Sequence, residues 1–217
     1  MTSLKLSPSS LNEFLVAQKI LPGQWDLLLF GDGSGLKWET GGGFACFLMD
    51  GRTLRRDLII GGQTRTTVSR MELGVYTEAI AYHFYRLLDR VVTNAPYRVW
   101  IFSDSELTVK CGNKEYHRKT NVDLWQSFDI WEERGYLFRF RWVPRNSTPF
   151  HELADRLAGK ARVALTALQL PAEQLYTYMP YTEEKVGQTA ALPQCSKCRT
   201  PKLPTDKQCP ICGHAEK

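Results

Sequence analysis

No stretch of this chain approaches the ~20 consecutive apolar residues that a membrane-spanning helix needs, so nothing in it predicts a bilayer partner. The opening segment, MTSLKLSPSSLNEFLVAQKIL, lacks the long apolar centre and small-residue cleavage site of a secretory leader. The expectation is a cytoplasmic protein whose six cysteines are reduced or metal-bound rather than paired in disulfides. Internal repeats and low-complexity runs are missing too, which removes repeat arrays from consideration. A large charge of one sign is also lacking. The net charge of +5 over 217 residues permits a polyanionic partner without requiring one. What the chain does have is 43% hydrophobic residues, enough for the core of one ordinary domain with an appendage.

Ser9 and Ser10 can cap a short helix over Leu11 to Ile20, which Pro22-Gly23 ends. Three strand-like runs follow, Trp25 to Phe30, Gly43 to Met49 and Leu54 to Ile60, and their short turns predict an antiparallel meander. The period then changes. Met71, Val75, Ala79, Phe84, Leu87 and Leu88 recur at helical spacing between Arg70 and Val92. Tyr97 to Asp104 reads as a buried strand and Tyr136 to Val143 as another. Helices are expected over Val122 to Arg134 and from Pro149 to Leu168, with small helical pieces near Glu106 to Lys110. A meander followed by βα units predicts an α/β fold: a mixed five-stranded sheet flanked by helices. The expected layout is an N-terminal helical extension over 1–24, a main domain over 25–170, a proline-bearing linker over 171–193 and a cysteine-rich module over 194–217.

Four carboxylates stand out. Asp32, in FGDGSG, closes the first apolar run; Asp104 closes the fourth strand; Glu72 is expected in the first turn of the long helix; Asp155 lies in the last helix. Strand-end aspartates can meet a helix-borne glutamate in space. Such a cluster is costly alone, because like charges repel and burial disfavours each charge. Hard divalent cations relieve it, since they take carboxylate oxygens and keep water ligands. Taken singly, each residue has a plainer reading: a turn aspartate, a glutamate complementing a helix dipole, an exposed helix face.

Several stretches carry the set beyond that reading. DGSG, TRTTVSRMEL, FSDSELTVK, NVDLWQ and WVPRNSTPFHELADRLAGKA occur in this order from about Trp25 to Leu165. In order and placement they resemble type 1 ribonuclease H. The resemblance implies the ribonuclease H-like fold, and Asp32, Glu72, Asp104 and Asp155 as ligands of two Mg²⁺ or Mn²⁺ ions. It implies endonucleolytic hydrolysis of the RNA strand of RNA–DNA hybrids. It also puts Gly33, Ser34, Thr67, Ser69, Ser105, Arg145 and Asn146 against the nucleic acid, with Gly31, Gly33 and Gly35 leaving room for the substrate backbone. The DEDD exonucleases, whose first Asp and Glu lie two apart on one strand, fit less well, because here the pair is Asp32 and Glu72 on different elements.

The chain departs from the family in places. Val68 and Ser69 stand where an Asn is common, and Glu106 where bacterial enzymes often have Gln. Arg145 is near the place of a loop histidine, and His151 stands where Asn is usual. His151 precedes Asp155 by one helical turn, which makes it a possible auxiliary to the site or simply a helix histidine bonded to a neighbour. The segment between Asp104 and Asn121 is too short for a large basic protrusion. The alternatives are a nucleic-acid-binding module with a degenerate site, or a related nuclease acting on another structured nucleic acid.

The tail carries Cys195, Cys198, Cys209 and Cys212 as C-x2-C-x10-C-x2-C, the spacing of a four-thiolate Zn²⁺ site. It resembles a zinc ribbon holding one structural zinc, and so short a segment would fold only with metal. Lys197, Arg199, Lys202 and Lys207 around it suit either extra nucleic acid or a protein partner.

Overall fold

The structure, a computed structural model, describes residues 8–36, 41–87, 96–145, 147–168 and 174–180. Along the chain these form α1 (Pro8–Ala17), β1 (Leu27–Gly35), β2 (Gly42–Asp50), β3 (Arg55–Gln63) and α2 (Val68–Tyr82), which runs into a π-helical turn (His83–Leu87). Then come β4 (Tyr97–Ser103), α3 (Glu106–Gly112), α4 (Val122–Glu133), β5 (Tyr136–Trp142), α5 (Pro149–Leu168) and β6 (Gln174–Pro180). The described strands make one mixed sheet in the order β5-β4-β1-β2-β3-β6. β1, β2 and β3 form the antiparallel meander, β4 lies parallel to β1, and β5 lies parallel to β4.

Alternation along the strands explains the layers, because successive side chains point to opposite faces. Leu27, Leu29, Cys46, Leu48 and Ile59 pack under α2 and α4, against Met71, Val75, Tyr76, Trp125 and Phe128. Leu28, Phe30, Phe47, Leu58, Trp100 and Phe102 pack under α1 and α5, against Leu11, Leu15, Phe150, Leu153 and Leu157. The N-terminal helix expected as an extension is thus part of this core. It also begins earlier than expected. Pro8 opens it, as proline's fixed φ favours at a first helical turn, so Ser9 and Ser10 lie inside it rather than capping it.

Other expectations change as well. β1 continues past Phe30 to Gly35, because Gly31 to Gly35 pair with Cys46 to Gly42 of β2; Asp32 therefore sits within a strand, not at its end. Thr67 caps α2, so Glu72 lies beyond the first turn. The long helix leaves α geometry at His83, whose buried ring meets Asp50 Oδ2 at 3.1 Å and the Tyr136 hydroxyl at 2.9 Å. The sheet gains a sixth strand. Residues Gln174–Pro180, expected within a linker, pair with Gln63–Asp57 of β3. An unpaired β3 would leave a row of backbone donors and acceptors open, and the Leu-Tyr-Thr-Tyr run of β6 has the residue types that strands favour. The cysteine set at 195–212 lies outside the described residues.

Candidate active site

The four carboxylates gather where β1 runs on past the end of β4. Asp32 lies on the sheet face that α5 covers, with Asp155 of that helix beside it. Asp32 is 4% exposed. Oδ1 accepts a hydrogen bond from the Gly33 amide at 2.8 Å, while the buried Oδ2 finds no donor. Burial, the adjoining Asp155 carboxyl and the charge on Asp104 push Asp32 up to about 8. The Asp155 carboxyl is held below its usual value. Burial opposes this, but the Arg145 guanidinium and the adjoining Asp32 carboxyl, which keeps its own proton, prevail.

Glu72 comes from the opposite face. The next strand residue, Gly33, points toward α2, and a Cβ there would stand 2.3 Å from the Glu72 amide nitrogen and 2.6 Å from the Met71 carbonyl carbon. Only glycine lets the helix backbone come this close to the strand. At Gly31 a Cβ would meet Tyr76 at 2.7 Å, and at Gly35 it would meet Val68 at 3.1 Å. The glycine pattern that suggested room for substrate is filled on this side by the protein's own helix, which delivers Glu72. Burial and the Asp104 charge raise the Glu72 carboxyl, against a hydrogen bond with Ser105.

Asp104 lies between the two faces, just past β4. Trp142, at the end of β5, donates its indole N–H to the Asp104 carbonyl at 3.0 Å and so ties that loop to the sheet edge. Arg145 bridges the group. Its Nη2 is 2.6 Å from Asp155 Oδ1 and its Nε 3.9 Å from Asp104 Oδ2. The Arg145 side chain is 65% exposed, so this cation can be displaced toward solvent. His151, fully buried on α5, points Nε2 at Asp104 Oδ1 from 4.0 Å. Burial holds its imidazole below the ordinary value, against the pull of Asp104 and Asp155.

The hydroxyls have local work. Thr67 Oγ1 accepts from the Arg70 amide and pairs with Ser69 Oγ at 3.3 Å. Ser105 caps α3. Ser34 Oγ receives Arg162 Nε at 3.1 Å. Asn146 lies outside the described residues. Sequence reasoning missed Trp142, Arg162 and Tyr76, whose hydroxyl is 2.8 Å from both the Gly31 and Phe102 carbonyls and pins α2 over β1 and β4.

Among the described residues no three His, Cys, Asp or Glu side chains stand close enough to hold an ion without moving. The carboxylates repel one another, and Arg145 pairs with Asp155. The donor set nonetheless fits hard divalent ions: all oxygen, one oxygen buried without a partner, and one carboxyl forced toward protonation by its neighbours.

The RNase H family model matches residues 24–163. Ribonuclease H from Helicobacter pylori (strain HPAG1) is 30% identical over 142 residues, 61% of this chain and 90% of the relative. Ribonuclease H from Polaromonas naphthalenivorans (strain CJ2) is 31% identical over 134 residues, 55% of this chain and 76% of the relative. Among solved structures, the N-terminal RNase H domain of a Mycobacterium tuberculosis protein, fused to maltose binding protein, superimposes with a TM-score of 0.52 at 18% identity, covering 65% of this chain and 96% of that one. LC11-RNase H1 in complex with an RNA/DNA hybrid gives 0.50 at 17%, covering 63% and 96%. With the family match spanning more than half of its 217 residues, and the fold shared, the chain belongs to the ribonuclease H family.

Proposed function

We propose that Asp32, Glu72, Asp104 and Asp155 hold two divalent ions, Mg²⁺ or Mn²⁺, and that this is where the chain cuts. As a ribonuclease H, the protein hydrolyses the RNA strand of RNA–DNA hybrids. The observation that best supports the metal reading is Asp32: a buried carboxyl beside Asp155 and Asp104, with one oxygen unpartnered, is stable as an anion only next to a cation. When bound, the ions would activate a water and steady the leaving oxygen of a phosphodiester. The chain's own residues prepare that place. Gly33 and Tyr76 set α2, and with it Glu72, against β1; Trp142 fixes the backbone of Asp104; Arg145, released from Asp155, is placed to meet a phosphate. Thr67 and Ser69, at the amide end of α2, add polar groups where an anion is favoured.

A cleavage panel tests this reading. Hybrid, double-stranded RNA, single-stranded RNA and DNA are each offered with Mg²⁺, Mn²⁺ or EDTA. The hybrid is expected to be cut with either metal and not in EDTA. Double-stranded RNA is expected to be cut less, because its second strand carries 2′-hydroxyls that a protein can sense. Equal cutting of both duplexes would assign another nuclease class. Binding of the hybrid without cutting would make the chain a binding module.

The cysteine tail supports a separate proposal. One Zn²⁺ is expected to copurify per chain, held by Cys195, Cys198, Cys209 and Cys212, since their spacing suits four thiolates around one ion. Metal analysis of freshly purified, reduced protein checks the stoichiometry, and a zinc-free result removes the ribbon. A chain ending near Pro180 keeps β6 and the four carboxylates. If the tail grips hybrid, that truncation makes the salt dependence of binding shallower by about one unit of slope for each phosphate the tail neutralises. If the tail docks a protein, the slope stays the same and only partner capture changes.

A further inference from the structure

Among the described residues of the site, His151 is a buried ring whose polar needs are unmet. Its side chain is fully buried; neither Nδ1 nor Nε2 makes a hydrogen bond of good geometry, and the Gly31 backbone makes only a loose contact with the ring. A neutral imidazole carries one donor and one acceptor. Leaving buried polar groups without well-made hydrogen bonds is costly, because their desolvation goes uncompensated. A residue kept only to fill space would do so more cheaply as leucine. The position of the ring is fixed from below, because the His151 amide donates to Thr148 Oγ1 at 3.0 Å and starts α5. From there the ring faces the Asp104 and Asp155 carboxylates, the Arg145 guanidinium and the Gly31 backbone. Nε2 stops 4.0 Å from Asp104 Oδ1, about 1 Å beyond hydrogen-bond range.

We propose that His151 is a positioning residue for the divalent ions: when a cation draws Asp104 inward, the His151 Nε2–H closes onto Asp104 Oδ1 and fixes the orientation of that carboxylate. The inference rests on the metal reading given above. It assigns this buried histidine a role through Asp104 and not on the reacting atoms. A ligand's hydrogen-bonded partner of this kind changes metal affinity by about 10–100-fold when removed.

The test uses the full chain without nucleic acid. Mg²⁺ and Mn²⁺ are titrated calorimetrically into wild type, His151→Leu and His151→Gln. Leucine fills the space with no donor, while the Gln amide nitrogen reaches about as far as Nε2. The expected result is a Kd raised about 10–100-fold in His151→Leu, restored to within a few-fold in His151→Gln. Cleavage by His151→Leu should recover at high metal, since the four carboxylates remain. A wild-type Kd in a folded His151→Leu overturns the inference and leaves the metal site standing. Absence of divalent binding by wild type overturns the metal reading itself, and the inference with it. If His151→Leu does not fold, ring-nitrogen NMR of wild type decides: Mg²⁺ should bring out a slowly exchanging His151 ring proton, and an unchanged spectrum overturns the proposal.

Discussion

Asp104→Asn is expected to reduce hybrid cleavage by at least about 10³-fold while leaving the fold and hybrid binding near wild type. The substitution keeps shape and volume and removes one negative charge from the centre of the site. Asp104 is the carboxylate that the others share: its charge acts on Asp32 and on Glu72, and Arg145 and His151 both approach it. Losing several kcal/mol of metal-supplied charge stabilisation corresponds to three or more decades in rate. The fold should persist, because the loop is fixed through the Asp104 backbone carbonyl, which Asn retains. Single-turnover cleavage with saturating Mg²⁺ and a parallel binding isotherm check both halves. Near-wild-type turnover by a clean preparation would remove Asp104 from the chemistry.

Asp32→Asn should raise the stability of the metal-free protein at pH 8 by on the order of 2 kcal/mol and leave it almost unchanged near pH 4. The sign follows from the raised carboxyl. In the folded chain Asp32 keeps its proton up to about 8, and in the unfolded chain it loses it near the ordinary value of 3.8. The folded state therefore binds more protons between those limits. Its advantage from Asp32 is complete below about pH 4 and is lost as pH rises through about 8. The full difference in affinity, at about 1.4 kcal/mol per unit, sets an upper bound that the linked titration of the neighbouring Asp155 reduces. Asn mimics the protonated form at every pH, accepting from the Gly33 amide and donating toward Asp155. Urea unfolding in EDTA at pH 4.5 and pH 8, wild type against Asp32→Asn, measures the difference. A ΔΔG independent of pH would mean that Asp32 is ionised throughout. Mg²⁺ at pH 8 should stabilise wild type and not the variant.

Much of this was legible in the residues because the fold writes its periods plainly. The apolar run at 25–30, the helical spacing after Arg70 and the FSD and HELAD stretches place Asp32, Glu72, Asp104 and Asp155 on the right elements. What escaped depends on pairing across the chain. Nothing local in FGDGSG says that the strand continues, since glycines read as a turn until β2 is laid beside them. The same glycines suggested open space, and only the approach of α2 shows that a helix fills it. Arg145 and Trp142 come together with Asp104 across two strands and a loop, a meeting that no spacing encodes. β6 escaped for the same reason: a seven-residue segment with prolines nearby becomes a strand only because β3 offers it an edge.

That last pairing has a consequence for how the chain can be shortened. Gln63 meets Gln174 and Asp57 meets Pro180, so the far side of the meander is closed by residues made more than a hundred positions later. Until they arrive, Leu58, Ile59 and Ile60 form an open, strand-shaped edge, the kind that recruits a second copy. A boundary drawn where α5 ends, near Leu168, would leave that edge open permanently. Such a fragment would retain every carboxylate and still tend to associate edge to edge, so the smallest well-behaved form of the enzyme ends after Pro180.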